Sequence, residues 1–223
     1  MANPTPDVLA IASLLKRERF YRDTAQWDLC RACFHPDAAS THISVAWYEG
    51  DVDDFLNLSA EMHKGKVNVI HSSFDPVDIR VCGNRAISEA FCLVTSSLTF
   101  GTVDYELASY MRLFTRLQKS ADVGDWRLLS LESSYVRDRL VIAFPGSGLG
   151  SPLAMTNEVQ AYPKSYRNLA FVMLNRGLKP RLNLPHEDSP ESVRRILEQN
   201  RAFLDGVRAG LTEEKESPGP LDV

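Results

Sequence analysis

Two unusually long strand-like runs, Arg85 to Phe100 and Asp104 to Leu117, stand side by side with only a short break at Gly101 between them. Ordinary strands stop after about 5–6 residues. Strands that continue well past that length must bend, and two of them joined by a tight turn curl a sheet around an interior. Shorter runs flank the pair: Val67 to Phe74, Val77 to Cys82 and Trp126 to Arg137. The breaks at Asp75-Pro76 and Gly83-Asn84 and the polar loop Lys119 to Gly124 carry turn chemistry, so these runs read as a long antiparallel meander.

Ahead of the meander the pattern is helical. From Pro6 to about Arg22, the residues Val8, Leu9, Ala12, Leu15, the stem of Arg19 and Phe20 recur at helical spacing, predicting an amphipathic helix that ends near Asp23. Trp27 to Phe34 predicts a second helix, stopped at His35-Pro36 because the residue before a proline is pushed out of helical geometry. Ser40 to Tyr48 alternates like a strand or hairpin arm until Gly50. Asp51 can cap a third helix through Phe55, Leu56, Leu58 and Met62, with its stop at Lys64-Gly65.

Helices followed by a meander make an α+β fold. The expected architecture for residues 1–145 is a cone-shaped barrel of strongly bent antiparallel sheet, with the N-terminal helices packed over a pocket. Residues 146–223 open in a Gly- and Pro-rich stretch and then carry two helical patterns, Tyr162 to Arg176 and Pro190 to Val207. This C-terminal helical extension is expected to lid the pocket or extend a homodimer interface, and the final TEEKESPGPLDV to be mobile.

A chain of 223 residues supports one sizeable core plus an extension. Its 44% hydrophobic and 24% charged residues are ordinary for a globular protein. The net charge of −4, with no long basic cluster, argues against a nucleic-acid partner. No stretch approaches the roughly 18–20 uninterrupted apolar residues of a membrane span. The first residues lack a basic lead into an apolar run, so no secretion signal is read and a cytoplasmic location is expected.

Cys30 and Cys33 form a C-x-x-C, the spacing of a redox pair or half a zinc site. They sit on an apolar helical pattern, however, and Cys82 and Cys92 lie in separate strand-like runs. Small buried thiols kept reduced are the simpler reading. The five histidines have no H-x-H or H-x-x-x-H spacing, so no metal is expected. There is no GxGxxG, P-loop or G-x-S-x-G motif, which removes the commonest nucleotide-dependent and acyl-transfer readings.

Two polar residues stand where charge is costly: Asp23 in FYRDTAQWD and His71 in VNVIHSSF, each inside an apolar-patterned element. If the first helix crosses the concave face of the sheet, Asp23 can fix the tautomer of His71 and stabilise its imidazolium, making a general base. In SYMRLFTRL, Ser109, Met111, Leu113 and Thr115 face one way and Tyr110, Arg112, Phe114 and Arg116 the other. Which set faces inward is open at this stage. If it is the second, Tyr110 and Arg112 become pocket residues and Arg112 could stabilise an enolate oxygen or leaving anion. Glu132 and Ser134 are weaker candidates of the same kind. His35 and His63 read as turn and helix-surface residues, and His186 as loop.

The segment RFYRDTAQWDLCRACFHPDA followed by IHSSF resembles the scytalone dehydratase and SnoaL-like polyketide cyclase group, and also lindane dehydrochlorinase, over roughly residues 8 to 140. The resemblance implies a nuclear-transport-factor-2-like cone and a catalytic dyad of an Asp at the end of the first helix and a His on the first long strand. These map to Asp23 and His71. The dehydratases carry a water-positioning tyrosine on the arm after the second helix, where this chain has His42. That departure implies a second pocket imidazole or a buried structural histidine. Trp47 and Tyr48 are candidate walls for a flat substrate.

The resemblance implies a cofactor-independent lyase or isomerase (a dehydratase, double-bond isomerase or cyclase) acting on a small carbonyl-bearing secondary metabolite such as a polyketide. It also implies a homo-oligomer, dimer or trimer. The rival reading is a non-catalytic cone that binds a small ligand or a partner, since fold does not fix function. A ring-hydroxylating-dioxygenase small-subunit role shares the fold as well.

Overall fold

Thr5 starts the first helix: its hydroxyl accepts the Val8 amide at 3.4 Å, and Pro6 takes a first-turn position where its missing N–H costs nothing. The computed structural model describes residues 5–63, 69–74, 78–120, 124–144 and 155–206. Helix α1 (Pro6–Asp23) ends in a tight reversal. The Gln26 amide donates to the Tyr21 carbonyl at 2.8 Å and the Ala25 amide to Arg22 at 3.2 Å, with Ala25 at φ 57°. That conformation normally falls to glycine, and it lets the chain turn at once into α2 (Trp27–Arg31).

The face α1 buries differs from the one expected from spacing. Leu15 and Arg19 are buried as expected, but so are Ile11, Leu14 and Glu18, while Leu9 and Phe20 are 57% and 59% exposed. The helix is rotated so that Arg19, Arg22 and Asp23 face an internal cavity. Glu18 and Arg19, both buried, pair with each other. Helix α2 is also shorter than its pattern, because Phe34 bridges to Leu128 and the His35 amide donates to the Leu128 carbonyl at 2.9 Å.

The hairpin β1 (His42–Val45) and β2 (Tyr48–Gly50) leads into α3 (Val52–His63). Asp51 caps α3, its Oδ1 accepting the Asp53 and Asp54 amides at 2.9 and 3.1 Å. The expected stop at Lys64-Gly65 and turn at Asp75-Pro76 lie outside the described residues. Next come β3 (Val69–Ser73), β4 (Asp78–Cys82), β5 (Arg85–Phe100), β6 (Val103–Lys119) and β7 (Trp126–Ile142).

The described strands form one seven-stranded sheet in the order β2-β1-β7-β6-β5-β3, with β4 also paired to β5. The last three strands run 16, 17 and 17 residues. The register of β6 against β7 shifts at Tyr110/Met111 and at Arg116/Leu117. Such irregularities bend a strand and raise its twist, which is how strands this long curl into a cone. The sheet is mixed where an antiparallel one was expected: β1 pairs with β7 in parallel, His42 opposite Ser130. No hairpin links these two strands, so nothing in the connection imposes the antiparallel direction.

The later helices take both sides of the sheet. Helix α4 (Asn157–Gln160) and a 3₁₀ turn at Lys164–Tyr166 lead to α5 (Arg167–Asn175), stopped at Gly177 with φ 77°. Phe171 and Val172 of α5 pack on Leu98 and Leu107. Asp138 of β7 ties the helix start, accepting the Leu169 amide at 2.7 Å and the Asn168 side-chain amide at 2.8 Å. Helix α6 (Pro190–Leu204) lies on the opposite face, its Val193 and Ile196 covering Phe114. Between them, Tyr135 donates to Pro185 at 2.9 Å and accepts from Glu187 at 3.0 Å, so the chain near His186 extends the sheet beside β7. The segment TEEKESPGPLDV falls outside the described residues, and Cys30, Cys33, Cys82 and Cys92 are all free thiols.

Two stability outcomes follow. Ala25→Gly relieves the left-handed strain and should stabilise the protein by about 1 kcal/mol in urea titration. Asp138→Ala strands the Leu169 amide in the interior and should cost about 1–3 kcal/mol, with hydrogen exchange rising first across α5.

Candidate active site

A cavity of about 210 Å³ lies between the sheet and the helices. Side-chain parity decides what lines it. On β6 the inward set is Ser109, Met111 and Leu113, and on β1 and the turn after it Val45, Ala46 and Trp47. Helix α1 adds Arg19, Arg22 and Asp23, α2 adds Trp27, and α3 adds Ser59, Met62 and His63. Leu169, Val172 and Met173 of α5 close it from the other side.

Asp23 and His71 meet in this cavity. Asp23 Oδ1 lies 2.6 Å from His71 Nδ1, and Asp23 Oδ2 accepts the backbone amide of His71 at 2.7 Å. Both side chains are only 12% exposed. The arrangement uses local necessity well. Strand β3 ends the path of the sheet, so one side of its backbone has no strand neighbour, and the carboxylate takes the free amide there. A carboxylate at a helix C-terminus works against the helix dipole, and these two hydrogen bonds offset that cost.

The Asp23 contact holds the His71 proton on Nδ1, leaving the Nε2 lone pair facing an Arg22 guanidinium N–H, with which it is in contact. Arg22 also lies over the Phe55 ring, 5.4 Å from its centre. Burial, and then the charge of Arg22, push His71 down to about 4, against the opposing pull of Asp23. Burial alone would raise Asp23, but the hydrogen bonds and charge of His71, helped by Arg22, hold it below the usual carboxylate value. At neutral pH the pair is therefore a neutral imidazole on an ionised carboxylate.

Of the residues singled out from sequence, Asp23, His71 and Trp47 line the cavity. Four others point elsewhere. His42 alternates with the buried Ile43 and sits half-buried opposite Ser130, because its strand turns Ile43 and Val45 to the inside. Tyr48 donates to the Asp51 carbonyl at 2.8 Å. Tyr110 stacks under Arg137 at 4.7 Å, and Arg112 pairs with Glu89 and Glu187, both on the outward parity of β6. Glu132 is bound to Arg116 on that same outer side.

Other cavity residues had no signal in the pattern. His63, expected on a helix surface, donates from Nε2 to the Asp23 carbonyl at 3.1 Å, meets the Trp27 ring edge-on at 5.6 Å, and leaves Nδ1 buried without a hydrogen-bond partner among the described residues. Arg22 is adjacent to Asp23 in sequence, but only the rotation of α1 shows that both face inward. Tyr135 carries a buried phenol that accepts from Ser133 at 3.1 Å and that burial pushes up to about 12. Ser96 and Ser109 on the strands and Arg176 just after α5 complete the polar lining.

Ser165, His186 and Asp188 also gather on the C-terminal segment. There the serine hydroxyl donates to Asp188 at 2.5 Å and lies 3.5 Å from His186, so the imidazole does not stand between carboxylate and hydroxyl as nucleophile activation requires. Among the described residues no group of three or more His, Cys, Asp or Glu is placed to hold a metal ion, and no helix is long and apolar enough to cross a membrane.

Comparison with known proteins places the chain in a family. The chain is similar to Pea pathogenicity protein 2 of Fusarium vanettenii, 27% identical over 192 residues that cover 82% of this chain and 78% of that protein. A PEP2-like protein of the same fungus is 26% identical over 220 residues, 92% of this chain and 90% of the relative. Among solved structures, a nuclear transport factor 2-like superfamily protein from Salmonella enterica is 19% identical, with a TM-score of 0.45 over 65% of this chain and 96% of that one. The model of the SnoaL-like domain matches residues 4–132, more than half of the sequence, and the chain belongs to the SnoaL-like family.

Proposed function

We propose that the protein is a cofactor-independent lyase or isomerase that removes a proton α to a carbonyl of a small, flat substrate, with a polyketide-like metabolite as the class in view. The observation that carries this reading is the two-point Asp23–His71 contact, which aims Nε2 into the cavity at Arg22. At about 210 Å³ the cavity is below the roughly 300–1,000 Å³ of drug-sized ligands, so a one- or two-ring substrate fits.

The chemistry follows from who holds which proton. The substrate carbonyl oxygen takes the Arg22 N–H in place of His71 Nε2. The freed Nε2 lone pair accepts the α-proton, the C–H electron pair becomes a C=C bond, and the carbonyl π pair moves onto oxygen, where Arg22 stabilises the negative charge. Asp23 stabilises the new imidazolium. When the enolate collapses, the carbonyl re-forms and the electron pair expels a β-hydroxyl, which leaves as water with the proton from His71; alternatively, it takes a proton at another carbon or attacks a second carbonyl. The carbonyl is the electron sink, so the step requires no cofactor.

This order of events makes the base substrate-gated. In the resting protein Arg22 occupies Nε2 and lowers its basicity; moving the guanidinium onto the substrate oxygen lifts that suppression as the base is called on. The rival reading, a non-catalytic ligand-binding cone, draws on the same Arg22 contact, since an engaged Nε2 is also what a purely structural histidine would have.

Exchange of α-protons into deuterated water, followed by NMR on a panel of cyclic ketones beginning with α-tetralone, separates the two. His71→Gln should abolish exchange and Asp23→Asn reduce it by about 10²–10⁴-fold, the range typical of positioned acid–base groups. Binding of ketones with no exchange above background by the wild type, or full exchange by His71→Gln, would sink the catalytic role. The pH dependence gives a second check. Because the folded pKa of His71 is about 4, the neutral base and its stabilising contribution persist above the unfolded value near 6.5 and are lost as pH falls through about 4. The acid limb of the exchange profile should therefore fall near pH 4, and Arg22→Gln should move it toward neutrality while slowing the plateau.

A further inference from the structure

The cavity has a second polar region that the proton-transfer step leaves unused. Ser96 and Ser109 both line it, are 7% and 1% exposed, and have hydroxyls with no protein partner among the described residues. Thr115 and Ser134 hydroxyls are also unpaired, but they do not line the cavity. A buried hydroxyl left without a hydrogen bond is costly, so whatever occupies the cavity must supply the partner.

Strand register places this pair relative to His71. His71 is opposite Val94 on β5, and Val94 is opposite Ser109 on β6, so His71, Val94 and Ser109 form one rung across three strands. At the usual strand spacing, Ser109 stands about 9–10 Å from His71 along the backbone. Ser96 is opposite Val69 on one side and Leu107 on the other, one inward step along from that rung. Ser96 is therefore a diagonal neighbour of both Ser109 and His71, with its Cα about 7–8 Å from each of theirs. Val94, Leu107, Met111 and Val172 surround them with apolar surface.

We infer that Ser96 and Ser109 form a subsite for a neutral oxygen substituent, a hydroxyl or carbonyl, on the substrate ring next to the one that carries the acidic C–H. Each serine hydroxyl can donate or accept, which suits either group. A carboxylate is disfavoured, since two neutral hydroxyls in an apolar wall do not replace the hydration of a full charge. The site deepens the acid–base reading by naming its substrate class: a cyclic ketone that carries a second oxygen one ring away from the enolisable position. It selects through binding, because analogues that lack the oxygen leave both hydroxyls unpaired.

The test uses binding alone, so that it stands apart from catalysis. In the His71→Gln background, calorimetry compares α-tetralone with 6-hydroxy-α-tetralone. The hydroxylated ketone should bind about tenfold more tightly, as one good buried hydrogen bond allows. Adding Ser96→Ala and Ser109→Ala should reduce that preference to less than about twofold, with α-tetralone still bound and the melting temperature not lowered. Equal affinities in the parent, a preference that survives the double substitution, failure of both ketones to bind, or a melting temperature several degrees lower would overturn the subsite, the last by assigning the serines a structural role. Exchange of α-tetralone by the wild type reports on the proton-transfer reading separately, because that compound has no second oxygen for the two serines.

Discussion

One carboxylate joins the two halves of the molecule. Asp23 ends α1 and accepts both the ring proton and the backbone amide of His71 on β3, so the same side chain positions the helix across the sheet and sets the imidazole tautomer. Much else follows from that junction. The rotation of α1 that delivers Asp23 also turns Arg19 and Arg22 inward and leaves Leu9 and Phe20 exposed. The left-handed Ala25 turns the chain at once into α2, whose Trp27 lines the cavity against His63. A helix packed only to bury its apolar residues would have exposed those charges and the cavity would have no chemistry.

Electrostatics at this junction are arranged for restraint. A histidine beside a carboxylate is ordinarily raised in pKa, yet burial and Arg22 together drive His71 in the other direction. The outcome is a neutral, correctly protonated imidazole whose reactive nitrogen is held by a cation that a carbonyl oxygen could claim. The guanidinium is well suited to both states, since its several N–H donors can move between acceptors without losing charge.

The sheet provides the rest of the cavity through parity and curvature. Long strands with register shifts bend around an interior, and alternate residues of β5 and β6 then project into it at fixed spacing from His71. Helix α5, anchored by Asp138, closes the cavity, while α6 covers the outer surface at Phe114. The two helices of the extension thus have different tasks on opposite faces of one sheet.

The residue pattern by itself determined the α+β class, the order of the main strands and the capping of α3 by Asp51, and it singled out Asp23 and His71, though it ended the last strand at Arg137 where β7 runs on to Ile142. These rest on local chemistry: period-two and period-three-to-four patterning, turn residues, and polar groups too costly to bury alone. Only the tertiary structure decided which parity of β6 faces inward, putting Ser109 and Met111 in the cavity and sending Tyr110 and Arg112 outside. It likewise decided that His63 belongs to the site while His42 does not, that Arg22 engages Nε2, and that β1 runs parallel to β7. Each of these depends on how one element is rotated or directed against a partner distant in sequence. Alternation along a strand states that neighbours face opposite ways, but the choice of side is made by the surface packed against it.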